Sequence, residues 1–292
     1  MRVLVLGRTG MLGHVVTGVL SRAEGIEVEG TERSTPSSPL YFDAVAGAEG
    51  LRALWRRRGG YRFVINCIGT TKAAFDERDP RAVEAAIRVN AILPHEVAAV
   101  AAEVDARALH ISTDGVFSGA AGACAEDAPH DCLDAYGKTK SLGEVAAPEV
   151  LTLRCSIVGL DPGGCRGLLE WFMGLPDGKE VIGYTDSLWS GVTSLQFARL
   201  CQRIIQQDAF KALRDESPVH HFVPNRALSK FELLQLFREA FGRRVVVTPG
   251  STPGGPVTRT LVSRYRGLRQ LFGAGQEMAE AVRELALEGM TR

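Results

Sequence analysis

Met1-Arg-Val-Leu-Val-Leu-Gly7-Arg-Thr-Gly10-Met-Leu-Gly13 opens the chain and decides its fold. Val3 to Leu6 read as a short buried strand that runs into a glycine turn. Met11, Leu12, Val15, Val16, Val19 and Leu20 then recur at helical spacing. Glycines at such a turn let the backbone approach a pyrophosphate, and the amides at the helix N-terminus face its charge. The spacing is Gly-x-x-Gly-x-x-Gly rather than Gly-x-Gly-x-x-Gly, so the generic fingerprint is only partly matched. With a strand before it and a helix after it, the turn reads as a dinucleotide site rather than an ordinary tight turn.

The alternation continues outward from that unit. Apolar runs at 26–30, 63–67, 108–112 and 150–153 read as further strands, and helical patterns fall at about 11–22, 48–58, 80–103 and 135–147. This order predicts an α/β fold with a doubly wound parallel (Rossmann-type) sheet and right-handed crossovers. After Arg154 the pattern loosens. Helices are expected near 164–174, 194–207, 228–241 and 276–288, joined by short strands such as 219–223. Residues 1–155 are therefore expected to form the dinucleotide-binding domain, with the helix at about 194–207 packing back on it. Residues 156–292 are expected to form a smaller substrate lobe that closes over the strand ends. No internal repeat or long linker is visible, so the two parts should move as one body.

A second motif lies in Asp134-Ala-Tyr136-Gly-Lys-Thr-Lys140. Residues at i and i+4 share a helical face, so the Lys140 ammonium can sit near the Tyr136 phenol. A nearby positive charge is expected to lower the phenol from its ordinary value of about 10. That would make it a proton donor or acceptor beside a carbonyl or alcohol.

Composition narrows the partners. Lys plus Arg and Asp plus Glu are 34 each in 292 residues, so no field favours nucleic acid or an anionic membrane. Trp55-Arg-Arg-Arg58 reads as a solvated helix end. No secretory signal is visible, because Gly7 to Gly13 interrupts the early apolar run. The stretch Val89 to Ala102 contains Pro94, His95 and Glu96 and is not expected to span a bilayer. A soluble cytoplasmic protein is expected. The six cysteines, at 67, 124, 132, 155, 165 and 201, include no Cys-x-x-Cys pair and read as reduced thiols. Cys124, His130 and Cys132 lack a second ligand pair, and His220 and His221 would face opposite ways in a strand, so no metal is expected. Gly137-Lys-Thr139 imitates the end of a phosphate-binding loop, but Cys132 stands where that loop needs glycine.

Three segments in order resemble the extended short-chain dehydrogenase/reductases, and within them the dTDP-4-dehydrorhamnose reductase family. They are the glycine turn, Ile111-Ser-Thr-Asp-Gly-Val-Phe-Ser-Gly119, and Tyr136 to Lys140 followed by Gly143-Glu144. Val64-Ile-Asn-Cys-Ile-Gly69 and Val89-Asn90 are also similar to that family's third strand and fourth helix, and Arg154 to Val158 to its fifth-strand exit. The likeness covers nearly all of residues 1–160. It implies Thr113, Tyr136 and Lys140 as the catalytic trio: Thr113 on the substrate's keto oxygen, Tyr136 as general acid, and Lys140 lowering its pKa and holding the nicotinamide ribose. It implies cofactor contacts from Gly7, Arg8, Thr9, Gly10, Met11 and Leu12, and from Cys67, Ile68 and Gly69, with Tyr136 and Lys140. It places the substrate near Thr113, Asp114, Trp189 and Arg259. The chain departs from the family at Gly115, where tyrosine is usual, at Trp189 to Thr193, and at Thr260, where proline is common.

Cofactor choice is a contest of charges. Glu32 would suit the free ribose hydroxyl of NAD, while Arg33 and Arg8 would suit the 2′-phosphate of NADP. Two arginines against one glutamate favour NADP(H), with NAD possible. The expected activity is NADPH-dependent reduction of a nucleotide-activated 4-keto-6-deoxy sugar. The alternatives are an epimerase or dehydratase with tightly bound nicotinamide, and a non-enzymatic NADP-binding regulatory subunit. A homodimer is left open.

Overall fold

In the computed structural model, which describes residues 1–164 and 167–290, the apolar runs pair into one six-stranded parallel sheet. Its strands are β1 (Arg2–Leu6), β2 (Glu27–Gly30), β3 (Phe63–Asn66), β4 (Arg107–Ser112), β5 (Val150–Arg154) and the edge strand Val219–His221. Their order across the sheet is Val219–His221, β5, β4, β3, β1, β2. β1 pairs with β2 on one side and β3 on the other, so the winding reverses there. In open sheets of this kind, ligands bind outside the carboxyl ends of the strands at that reversal.

The inner strands β1, β3, β4 and β5 are buried on both faces because helices cover both. Val3, Val5, Phe63 and Ile65 join a cluster with Val15, Val16 and Leu20 of α1 (Met11–Ser21). Phe197, Leu200 and Ile204 of the helix Ser194–Gln206 complete that side. Leu4, Leu6 and Val64 pack instead with Leu51 and Leu54 of α2 (Gly47–Arg58) and with Val97 and Val100 from beyond β3. Burying each such side chain stabilises by about 1.5–3 kcal/mol, which is why the period-2 alternation of β1 fixes its orientation.

The helix expected across 80–103 is divided. α3 (Pro80–Ala86) passes through a π-helical turn, Ile87–Ile92, into α4 (Leu93–Glu103). Pro94 is the cause: it has no N–H to give the Asn90 carbonyl, and its ring would press on that carbonyl in a regular helix. The wider turn relieves both. The run Pro80–Glu103 is long and apolar enough to cross a membrane by length and composition, but half of its most apolar window is buried inside the protein.

After β5 the chain does not stay in a separate lobe. The helix Ser194–Gln206 packs on α1, and Val219–His221 adds to the main sheet beside β5. The expected division at residue 155 is therefore corrected for 219–221, which pair through their backbone with Thr152–Arg154 of β5. The remaining segments build small sheets above the strand ends. Ser187–Trp189 lies between Leu228–Ser229 and Val257–Arg259, Glu180–Tyr184 pairs with Val246–Gly250, and Ser156–Val158 pairs with Gly191–Thr193. Cys165 and Arg166, within the helix expected near 164–174, lie outside the described residues. The described helix there is Leu168–Met173. The five described cysteines are free thiols.

Candidate active site

The turn after β1 is shaped by two glycines. Gly7 has φ +81°, and a Cβ on Gly13 would lie 2.1 Å from the Gly7 carbonyl oxygen, so only glycine lets α1 start this close to β1. Gly10 caps α1 with no side-chain hydrogen bond to the first-turn amides. Those donors and the positive helix end are what an anionic pyrophosphate needs. The residues present therefore fit a dinucleotide.

A cleft of about 440 Å³ opens beside this helix end. One wall is Gly10, Met11 and Leu12 with Cys67, Ile68 and Gly69; the other is Thr113, Asp114, Tyr136 and Lys140, with Arg259 on the lobe side. Asn90 holds the first wall to the second: its amide accepts from Thr70 N at 2.9 Å, and donates to the Thr70 carbonyl at 2.9 Å and to Thr139 at 3.2 Å. Lys72 reaches across to Asp134 at 2.6 Å. Asp134 in turn caps α5 (Ala135–Leu142) by accepting from Gly137 N at 2.7 Å, which fixes the helix that carries Tyr136.

The electrostatics differ from the expectation in one respect. Lys140 is 6 % exposed and donates to the Ile111 carbonyl at 2.7 Å. Burial pushes its pKa down to about 8, against the pull of Glu144. Tyr136 is pushed up, to about 12. Burial is the main cause, the Thr113 hydrogen bond opposes it, and the Asp114 and Asp134 carboxylates add to it. The lowering of the phenol by Lys140 is thus corrected: with the ammonium turned to a backbone carbonyl, desolvation and two carboxylates dominate.

Thr113 directly follows β4 and donates to Asp114 Oδ1 at 3.1 Å while its oxygen accepts from Gly115 N. Asp114 is 7 % exposed, and burial raises its pKa although Lys230, Thr113, Arg259 and Ser156 all pull it down. A Cβ at Gly115 would lie 2.9 Å from the Tyr136 ring, so glycine leaves the phenol unobstructed.

The other expected residues separate. Gly7, Arg8 and Thr9 lie in the turn behind the cleft wall. Arg8 and Arg33 are both exposed and neither lines the cleft; Arg8 is paired with Glu32 at 3.1 Å. Trp189 is 2 % exposed and belongs to the core, not to the cleft wall. Its indole instead supports the Lys230 ammonium, 4.9 Å from the ring centroid. Arg259 is on the wall, and its Nε is buried without a hydrogen-bond partner among the described residues. Sequence reading missed Lys230, Lys72 and Asp134. Asp134 was detectable as an acidic cap before a helical run; Lys230 had no local signal, because only the lobe's folding brings the start of the helix Lys230–Ala240 to Asp114.

Among the described residues no group of three or more His, Cys, Asp or Glu side chains could hold a metal ion. His130 is engaged by Ser141 and Arg154 instead.

Comparisons with known proteins bear on the family and the fold. A family model described as the RmlD substrate binding domain matches residues 1–261. A probable low-salt glycan biosynthesis reductase, Agl14 of Haloferax volcanii, is 32 % identical over 184 residues, covering 60 % of this chain and 58 % of the relative. A dTDP-4-dehydrorhamnose reductase of Streptomyces griseus is 35 % identical over 151 residues, covering 51 % and 46 %. The matches thus span about half the length of these relatives. Among solved structures, a dTDP-4-dehydrorhamnose reductase ortholog from Clostridium acetobutylicum superposes with TM-score 0.77 at 21 % identity over 100 % of both chains. A dTDP-4-dehydrorhamnose reductase from Bacillus anthracis in complex with NADP gives 0.76 at 19 % identity over 98 % and 99 %. These two show the shared fold.

Proposed function

The chain belongs to the RmlD substrate binding domain family, and from that membership we propose that it is an NADPH-dependent reductase of a nucleotide-activated 4-keto-6-deoxy sugar. The observation that carries the reading is the cleft itself. Thr113, Tyr136 and Lys140 form one wall, and the uncapped N-terminus of α1 forms the facing one. A reduced nicotinamide bound there supplies hydride to the keto carbon. Gly10, Met11 and Leu12 would hold its pyrophosphate, and Lys140 its ribose. Tyr136, protonated at neutral pH, delivers its proton to the keto oxygen as negative charge develops, and Thr113 orients that oxygen.

NADP is favoured because Arg8 stands at the turn with a guanidinium that could exchange Glu32 for a 2′-phosphate. Arg259 is assigned to the sugar nucleotide's diphosphate, on the strength of its position on the wall and its unpartnered Nε. Trp189 has no direct substrate role in this reading; it backs Lys230. A soluble cytoplasmic setting fits a core helix at 80–103 and balanced surface charge. The test is NADPH oxidation with a panel of dTDP- and other nucleotide-linked 4-keto-6-deoxy sugars, with the product identified by NMR. Turnover of at least one of them, giving the 4-hydroxy sugar, is expected. NADPH binding with no turnover across the panel would favour a non-enzymatic binding subunit, and a nicotinamide that survives gel filtration would favour an epimerase or dehydratase.

A further inference from the structure

Thr113 stands just past the end of β4, and the sheet grips that end loosely. Pairing with β3 stops at His110. On the β5 side the Cys155 amide reaches the Ser112 carbonyl only at 3.4 Å, beyond the usual range of about 2.7–3.2 Å. The Thr113 hydroxyl bonds within its own turn, to Asp114 and the Gly115 amide. None of these contacts ties Thr113 to the helix that carries Tyr136.

Two side chains do tie that strand end to the chain of α5. Lys140 donates to the Ile111 carbonyl at 2.7 Å, and Glu144 accepts from the Ser112 hydroxyl at 2.5 Å. Tyr136, Lys140 and Glu144 recur at every fourth residue, along one face of α5 and the turn that ends it. We propose that Glu144 is a positioning residue for the reduction, gripping Ser112 so that Thr113 stands at a fixed distance from the Tyr136 phenol. The proposal rests on the reductase reading and deepens it by naming what aligns the two groups on the keto oxygen.

Glu144 suits an anchor rather than a catalyst. Its side chain is buried and does not line the cleft, so it can act only through Ser112. Arg154 donates to both of its oxygens and is itself held by His130 and His221. A two-pronged contact of this kind fixes the plane of the carboxylate as well as its place. Opening the pair would strand a charge in the interior, so the carboxylate stays where Ser112 meets it. Lys72 also reaches α5, through Asp134, but its side chain is more than half exposed and makes the softer tie. The alignment is close: a Cβ on Gly115 would lie 3.3 Å from Thr113 Oγ1 and 2.9 Å from the Tyr136 ring. Misplacing such groups by about 1 Å can cost about a hundred-fold in rate.

Ser112→Ala tests the proposal, because it deletes the tie and leaves the Glu144–Arg154 pair intact. With NADPH and the accepted sugar, kcat should fall about ten- to hundred-fold, while both KM values stay within a few-fold and Tm within a few degrees. Unchanged kcat, or a loss confined to KM or to Tm, would leave Ser112 and Glu144 an ordinary structural contact and overturn the proposal. Hydrogen exchange read by mass spectrometry needs no substrate. In Ser112→Ala the segment 111–117, which includes the Gly115 amide on Thr113, should exchange about ten-fold faster, with β1 and β3 unchanged. Wild-type exchange in that segment, or a rise spread over the whole sheet, overturns the proposal whatever the rate. A wild-type enzyme that reduces none of the sugars overturns the reductase reading instead, and the exchange still judges whether Glu144 holds Thr113 through Ser112.

Discussion

Tyr136 is held protonated by its surroundings, which suits an acid that must answer an alkoxide as it forms. A pKa pushed up to about 12 leaves the free enzyme's phenol neutral across the physiological range, so its loss should be felt at every working pH. Tyr136→Phe is expected to lower kcat by about a hundred- to ten-thousand-fold while NADPH affinity, measured by fluorescence titration, stays within a few-fold. Near wild-type turnover in that variant would end the proposed chemistry. Arg8 is the residue to test for cofactor choice, since it sits at the glycine turn with its guanidinium on Glu32. Hydrogen bonds to charged groups contribute about 1.5–3 kcal/mol, so Arg8→Ala should weaken NADPH roughly ten- to hundred-fold more than NADH. Equal losses for both would return the assignment to NAD through Glu32.

At the scale of elements, the site depends on how closely α1 starts to β1 and on how α3 runs into α4. Gly13→Ala would drive a Cβ to within 2.1 Å of the Gly7 carbonyl oxygen, and backbone cannot yield as a flexible side chain does. Overpacking of this kind costs about 1–3 kcal/mol, so a lower Tm and a loss of NADPH binding are expected together. A variant with wild-type Tm and affinity would show that the turn is looser than described. β1 and α1 were legible because buried strands and amphipathic helices write their periods directly into sequence. The π-helical turn at Ile87–Ile92 was not, although Pro94 was visible: a helical pattern continues across such a turn, and only packing shows where the extra residue is absorbed.

Over the whole molecule, sheet and lobe are joined by a buried ionic knot centred on Arg154, which is 1 % exposed. Its guanidinium donates to both oxygens of Glu144 at 2.9 and 2.6 Å, to His221 Nε2 at 2.6 Å and to His130 Nε2 at 2.9 Å. His221 donates through Nδ1 to the Val262 carbonyl at 2.8 Å, and Ser112, beside Thr113, donates to Glu144. Burial and the Arg154 charge push His221 down to about 4. Glu144 is held below its ordinary value because Arg154 and Ser112 outweigh the opposing cost of its burial. Below pH about 6.5 the unfolded chain protonates His221 while the folded one does not. Stability is therefore fully present above that pH and is lost as pH falls toward 4, because the unfolded state binds more protons. Glu144 acts in the same direction at lower pH, its share disappearing as pH falls through its depressed folded value. Calorimetric Tm should decline from pH 6.5 to 4, and His221→Gln should flatten that decline. Parallel slopes for the two proteins would remove His221 from the acid response.

The sequence by itself determined the parallel sheet and the glycine turn and put Tyr136 and Lys140 on one helical face, because each is written in local spacing: buried strands alternating with helices, glycines at a turn, and side chains one helical turn apart. Thr113 came from the family resemblance alone. Tertiary structure alone decided what surrounds them. It turned Lys140 to a backbone carbonyl, sank Trp189 into the core under Lys230, paired Arg8 with Glu32, and returned Val219–His221 to the main sheet. These outcomes depend on contacts between residues tens to hundreds of positions apart. Burial and charge at a site are sums over such contacts, and no local pattern of residues records them.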